Sequence, residues 1–261
     1  MQDKSDLRVH PDWLVPEWPA PPGVKALITT RAGGVSAGRY ASLNVGYSTQ
    51  DDPRAAEENR ARLSALLPEA PRWLKQVHGA RVVDAESIGE RPEADASIAR
   101  TAGTVCAIQA ADCLPVLFAD RGGRMVAAAH AGWRGLAAGV LDNTIAAMRE
   151  AGVAPRNVIA YIGPGIGPAA FEVGEDVRAA YVDRDRAAAF AFAPRGTGKW
   201  LADLPALARR ALLRCGIDAV YGGGLCTYSD PRRFYSYRRD GETGRMAALI
   251  WLAAPPARDA C

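Results

Sequence analysis

Residues 111–135 read ADCLPVLFADRGGRMVAAAHAGWRG. Two apolar runs, LPVLFA and RMVAAA, flank the turn-forming segment DRGG, a pattern that predicts an antiparallel hairpin. With residues 120–123 as the loop, Ala119 faces Arg124 and Cys113 faces His130 directly. Opposed Cβ atoms in such a pair lie about 4.5–5.5 Å apart on one face of the sheet. That placement suits one metal ion gripped by both groups, or a thiolate–imidazole pair. A two-residue turn at Gly122-Gly123 would slip the pairing. Taken singly, Cys113 reads equally well as a small core hydrophobe and His130 as a satisfied core histidine. Their paired placement, with Gly132 and Trp133 directly after Ala131, favours a site.

Outward from this hairpin, strands and helices interleave. The segment GTVCAIQAADCLPVLFAD (103–120) is a near-continuous apolar run, and VKALITTR (24–31) and NVIAYIG (157–163) read as strands. DDPRAAEENRARLSALL (51–67) reads as a helix, with Asp52 as N-cap and Pro53 at the first helical position. GLAAGVLDNTIAAMREAG (135–152) has apolar positions at helical spacing and a glycine stop at Gly152. GEDVRAAYV (174–182) and LADLPALARRALLRCG (201–216) read as further helices, and FYSYRRDGETGRMAALIWL (234–252) as a closing hairpin turning at Asp240–Gly244. RWLKQVHGARVVDAES (72–87) has strand formers on both sides of His78-Gly79. The prominence of hairpins favours a mixed α/β (α+β) domain over a purely parallel, doubly wound one. One domain over 1–261 is expected, with a proline-rich lead-in at 1–23 lying on its surface. PGIGP (164–168) is a rigid loop that does not fit a dinucleotide-binding pattern.

Composition narrows the function classes. The chain of 261 residues is 49% hydrophobic and 23% charged, ordinary for a globular protein. A net charge of +3 gives no electrostatic footprint for nucleic acid. No apolar run reaches the roughly 20 residues of a membrane span, and the first residues, MQDKSDLRVHPDWL, lack the apolar core of a signal peptide. The five scattered cysteines (Cys106, Cys113, Cys215, Cys226 and Cys261) read as reduced thiols. We therefore expect a cytoplasmic monomer acting on small molecules, with neither nucleic acid nor membrane as partner.

The chain has only three histidines, and His10 falls in the lead-in. His78, before a glycine at a strand-to-turn point, is the third candidate ligand beside Cys113 and His130. Two histidines and a cysteine form the three-ligand set of a catalytic zinc, whose fourth position stays open. None of them lies in a closely spaced CxxC or HxxxH pattern.

Six ordered blocks carry a family resemblance: TTRAGGVS (29–36), KQVHGA (75–80), ADCLPV (111–116), AHAGWRGLAAGV (129–140), GPGIGPAAFEVG (163–174) and CTYSDPRRFYSYRRDGETGRMAALIWL (226–252). They resemble the laccase-domain family, also called multicopper polyphenol oxidases or peptidoglycan editing factors, from about Trp13 to Leu252. The resemblance implies layered mixed β-sheets flanked by helices, of the YfiH-like cysteine-hydrolase type. It implies a zinc site on His78, Cys113 and His130. It implies phosphorolysis of adenosine, inosine, guanosine and methylthioadenosine, with adenosine deamination. Copper-dependent phenol oxidation and the editing of peptidoglycan precursors are also attached to the family. Two departures stand out: Ala169 and Ala170 replace cysteines of some relatives, and Ser48 stands nearest to where many have a histidine.

A four-copper oxidase needs roughly ten imidazole ligands, which three histidines cannot supply. Adventitious oxidation by copper in the zinc site stays open. For deamination, a glutamate separate from the metal is needed, and Glu172 is the candidate. For phosphorolysis, phosphate must be held beside the sugar. Arg134, at the start of the helix after AGW, and Arg31, before a glycine turn, are candidates. Cys226 is placed at the site as a second thiol. Arg238, Arg239 and Arg245 read as a solvated charged turn. Two other classes stay open: a cysteine hydrolase or amidase with Cys113 as nucleophile and His130 as base, and a non-enzymatic partner of the cell-wall machinery.

Overall fold

The computed structural model describes residues 9–254. In chain order its strands and helices are β1 (Val24–Ile28), α1 (Pro53–Ser64), β2 (Val82–Asp84), β3 (Ala96–Ala99), β4 (Cys106–Ala110), β5 (Leu114–Asp120), β6 (Val126–Ala131), α2 (Trp133–Ala137), α3 (Val140–Glu150), β7 (Val158–Ile162), β8 (Glu172–Gly174), α4 (Glu175–Val182), β9 (Phe192–Gly196), β10 (Lys199–Ala202), α5 (Leu204–Arg214), β11 (Val220–Gly222), α6 (Tyr237–Asp240) and β12 (Met246–Leu252). They form a mixed six-stranded sheet, β11-β7-β5-β6-β3-β2, an antiparallel sheet β1-β12-β4, and a small sheet β8-β10-β9. The expected mixed α/β class holds.

The layers follow from alternation along β5. Leu114, Val116 and Phe118 join a core with α3, α4 and α5. Leu117 and Ala119 point the other way and meet Ile28, Ile108 and Ile250 of the three-stranded sheet. The far face of that sheet is closed by Leu63 of α1 and by Trp13 and Trp73. The order is thus helix, sheet, sheet, helices. β5 is buried along its whole length because both of its faces are covered, which explains why its sequence is apolar without alternation.

Four expectations change. The hairpin of β5 and β6 pairs Leu114 with Ala131 and Pro115 with His130, so Cys113 does not face His130. The turn is centred on Gly122-Gly123: Asp120 N donates to Met125 O at 2.9 Å and Gly123 N to Asp120 O at 2.8 Å, with Gly123 at φ +68°. The helix expected over 135–152 is broken at Gly139, whose φ of +92° ends α2 and restarts the chain as α3. The closing hairpin is absent; Ser236 caps the short α6, accepting from Arg239 N at 3.2 Å, and β12 pairs with β1 and β4 instead. The lead-in is not merely on the surface: Trp13 is 3% exposed, and Leu14 bridges Ile28. Cys261, read as a terminal thiol, lies outside the described residues.

Phe118 is fully buried at the centre of β5. Phe118→Ala should lower the unfolding free energy by about 3–5 kcal/mol, measured by urea denaturation. A loss under about 1 kcal/mol would show that β5 is not the packed centre of the fold.

Candidate active site

The chain crosses from the three-stranded sheet to the six-stranded one in the residues Ala111-Asp112-Cys113, between β4 and β5. Asp112 makes this corner with φ +87°, a left-handed conformation that a non-glycine residue adopts only when held. It is held from three sides. Its Oδ1 accepts from Thr227 Oγ1 at 2.6 Å, its Oδ2 from Arg238 N at 2.7 Å, and its carbonyl from Ile166 N at 2.8 Å.

The observed register still brings Cys113 and His130 together. His130 stands opposite Pro115, so Cys113 is its diagonal neighbour on the same face, within reach of a long side chain. Opposite Cys113 comes Gly132. A Cβ there would lie 2.7 Å from Cys113 Sγ and 3.0 Å from His78 Cδ2, so only glycine leaves room for the cluster. Gly135 serves the neighbouring contact, since a Cβ would meet Gly79 O at 2.8 Å.

His78 arrives from a loop at φ +59°. The buried carboxylate of Asp95 shapes that loop. It accepts from Val77 N at 3.1 Å, His78 N at 2.9 Å and Gly79 N at 2.8 Å. The same carboxylate bonds His130 Nδ1 at 2.8 Å. Burial alone would raise the Asp95 pKa, but the hydrogen bonds from His130 and the loop N–H groups outweigh it and lower the pKa. An ionised Asp95 fixes the proton of His130 on Nδ1 and leaves Nε2 for another partner.

His78, Cys113 and His130 therefore converge. One ligand atom from each lies within 4.8 Å of the others, and His78 Nε2 is 3.8 Å from Cys113 Sγ. The imidazole rings stand edge to face with centroids 4.8 Å apart. Burial would raise the Cys113 pKa, but the two imidazoles, His130 foremost, bring it down to about 6. Burial works against the charge on His130, yet Cys113 and Asp95 push its pKa up to about 9. A thiolate beside an imidazolium suits nucleophilic chemistry; the same thiolate with two imidazoles suits a metal.

The cluster opens into a cavity of about 510 Å³ whose wall includes Gln109, Trp133, Arg134, Phe171, Arg238 and Arg245. Ser48 also lines it, so the departure from the histidine of some relatives falls in the cavity wall. Arg134 stacks over the Trp133 ring at 4.4 Å. The structure places three other candidates elsewhere. Arg31 donates to Ala41 O at 2.8 Å and Pro231 O at 2.9 Å, joining two loops. Cys226 Sγ accepts from Gly167 N at 3.2 Å and Ser229 Oγ at 3.3 Å, outside the cavity wall. Glu172 is exposed at the start of β8, with its carboxylate 3.9 Å from Arg195 Nε. The charged turn divides: Arg239 is spent on Asp240 and on the carbonyls of Thr227, Tyr228 and Phe234, whereas Arg238 and Arg245 face the cavity. Asp95, Asp112 and Gln109 were not foreseen. The signal for the two acids was present, since Asp95 between Ala94 and Ala96, and Asp112 between Ala111 and Cys113, each set a charge among small residues that burial must compensate.

With this geometry in hand, comparison with known proteins is specific. The family model described as multi-copper polyphenol oxidoreductase laccase matches residues 25–253. The chain belongs to this laccase-like family. Among its members, "Purine nucleoside phosphorylase PA4543" of Pseudomonas aeruginosa is 53% identical, over 92% of this chain and 98% of that protein. "Purine nucleoside phosphorylase YfiH" of Escherichia coli is 51% identical over the same shares. Among solved structures, Neisseria meningitidis protein NMB0706 superposes with a TM-score of 0.89 at 54% identity, covering 93% of this chain and 100% of that one. YlmD of Geobacillus stearothermophilus gives 0.82 at 31% identity, covering 89% and 93%. The laccase-like fold of the family is thus the fold of this chain.

Asp95→Asn keeps the size of the side chain but replaces one acceptor oxygen with a donor facing backbone N–H groups. It should weaken metal binding by about 10- to 100-fold, read by competition with a chromogenic chelator. An unchanged affinity would show that Asp95 does not orient His130.

Proposed function

We propose that this chain is a zinc-dependent purine nucleoside phosphorylase with adenosine deaminase activity, a cytoplasmic monomer built as one domain. The observation that carries this reading is the His78–Cys113–His130 cluster at the floor of an arginine-lined cavity, in a chain whose relatives are named purine nucleoside phosphorylases.

The donor set fits zinc. Tetrahedral zinc with Zn–N of about 2.0–2.1 Å and Zn–S of about 2.3 Å requires N and S about 3.6 Å apart; His78 Nε2 and Cys113 Sγ are 3.8 Å apart, and the three ligand atoms lie within 4.8 Å of one another, so a bound ion would draw them closer. His78, Cys113 and His130 would hold the ion, which supplies Lewis-acid polarisation and lowers the pKa of water. With three histidines in the chain, a four-copper centre lacks ligands, and copper would compete for this same site.

The rest of the reaction falls to the chain's own residues. In phosphorolysis a phosphate oxygen forms a bond to the anomeric carbon as the C–N bond to the base breaks. The base leaves with the proton that hydrogen phosphate gives up, and ribose 1-phosphate remains. Phosphate near neutral pH carries between one and two negative charges and needs donors at a fixed place. Arg134, Arg238 and Arg245 face the cavity, and the planar guanidinium binds such an anion in bidentate fashion. Arg134 is the foremost candidate, because Arg238 is engaged with Glu172 O and Arg245 with the carbonyls of Thr243 and Gly244. Trp133 and Phe171 offer flat apolar walls to base and sugar.

One observation favours a second reading: the lowered Cys113 pKa beside His130 would serve a cysteine hydrolase acting on a cell-wall precursor. The two readings separate on metal removal, since a chelator abolishes only the zinc-dependent activity.

Inosine conversion followed against rising phosphate tests the leading reading. Ribose 1-phosphate should form and saturate with phosphate, and Arg134→Lys should lower the rate about 10- to 100-fold. Free ribose at every phosphate concentration would contradict phosphorolysis.

A further inference from the structure

Among the described residues, few buried side-chain polar atoms lack a partner, and Gln109 Nε2 is one of them. Gln109 is on β4, four residues before Cys113, and lines the cavity. Its backbone is pinned: Gln76 Nε2 donates to Gln109 O at 2.8 Å, and Gln109 N donates to Gln76 Oε1 at 2.8 Å. Gln76 thus acts as an extra rung on the edge of β4 and ties the segment leading to His78 to the segment leading to Cys113. Both ends of the Gln76 amide are consumed in that rung. The Gln109 amide is the opposite case, with a fixed backbone beneath it and a head group bonded to nothing in the protein.

A shielded, unpaired amide is unfavourable unless a ligand completes it. An amide offers a donor and an acceptor side by side, and its terminal torsion is broad and roughly two-fold. Purines present two opposite patterns at the N1–C6 edge. Adenine has an amino donor at C6 and an acceptor at N1; hypoxanthine and guanine have a carbonyl acceptor at C6 and an N1–H donor. A freely turning amide matches either by rotating half a turn. A fixed donor or a carboxylate could not.

We propose that Gln109 reads the N1–C6 edge of the base, and that its freedom to turn lets one cavity take both 6-amino and 6-oxo purine nucleosides. The inference rests on the purine nucleoside reading of the cavity and adds the residue that recognises the base. Sites that hydrogen-bond a substrate group discriminate strongly against analogues lacking it. Purine riboside, with hydrogen at C6, loses half of the bidentate contact and should be the poorer substrate of the parent protein.

The test measures kcat/KM for adenosine, inosine and purine riboside at saturating phosphate in the parent protein, Gln109→Met and Gln109→Asn. Methionine keeps the length and removes both polar atoms. Its preference for adenosine and inosine over purine riboside should fall by a factor of about ten or more, because purine riboside has only its single N1 contact to lose. Asparagine keeps the amide but shortens its reach and should give an intermediate loss. Where turnover is too slow, calorimetric binding of adenine, hypoxanthine and purine to the same proteins gives the same comparison. An equal loss for all three nucleosides, or for all three bases, would mean a merely structural role and overturn the assignment while leaving the nucleoside reading intact. If the parent protein releases no base from any of the three, the nucleoside reading itself fails, and the assignment with it.

Discussion

The buried carboxylate of Asp95 gathers three backbone N–H groups of the His78 loop and the Nδ1 of His130. A carboxylate removed from water is costly unless its lone pairs are filled, and here four donors fill them. The consequence reaches beyond stability. The loop of residues 77–79 has no strand partners to set its course, so the carboxylate sets it, and His78 takes its left-handed φ as a result. The same interaction decides which nitrogen of His130 is free. One side chain therefore places one candidate ligand and orients a second.

The third candidate is placed by a different constraint. Cys113 follows a corner at which the chain leaves one sheet for the other, and Asp112 holds that corner with side-chain and main-chain bonds to residues far away in sequence. Glycines complete the arrangement by absence of volume: a methyl group at residue 132 would collide with both Cys113 and His78. The cluster is thus over-determined by a buried acid, a strained corner and a missing side chain, none of which is itself a ligand. Such support shells are what keep a site within the narrow tolerances that binding and catalysis demand.

Much of this was legible in the chain. α1 begins where Asp52 and Pro53 indicate, and the glycine stop at Gly152 holds at φ +94°. The Cys113, His130 and His78 trio follows from the scarcity of histidine and the hairpin, and the six sequence blocks fix the family. The register did not follow, because the loop around Gly122-Gly123 admits two pairings, and the choice depends on the contacts of Asp120. Residues 234–240 have the composition of a strand, yet Ser236 and the long-range pull of Asp112 on Arg238 N turn them into a helical corner. Arg31 reads as an anion binder beside a flexible turn, but its guanidinium is claimed by carbonyls of two loops, one of them 200 positions away. Propensity and spacing do not encode contacts over such separations, and those contacts decide which arginines face the cavity.

We propose that His78, Cys113 and His130 act as one set of ligands. X-ray absorption spectroscopy at the zinc edge on the purified protein, with metal content measured on the same sample, tests it most directly. One zinc per chain is expected, with one sulfur at about 2.3 Å and two imidazole nitrogens at about 2.0–2.1 Å, and loss of the sulfur shell in Cys113→Ser. A stoichiometric zinc with no sulfur ligand, or a fully active protein without metal, would contradict it.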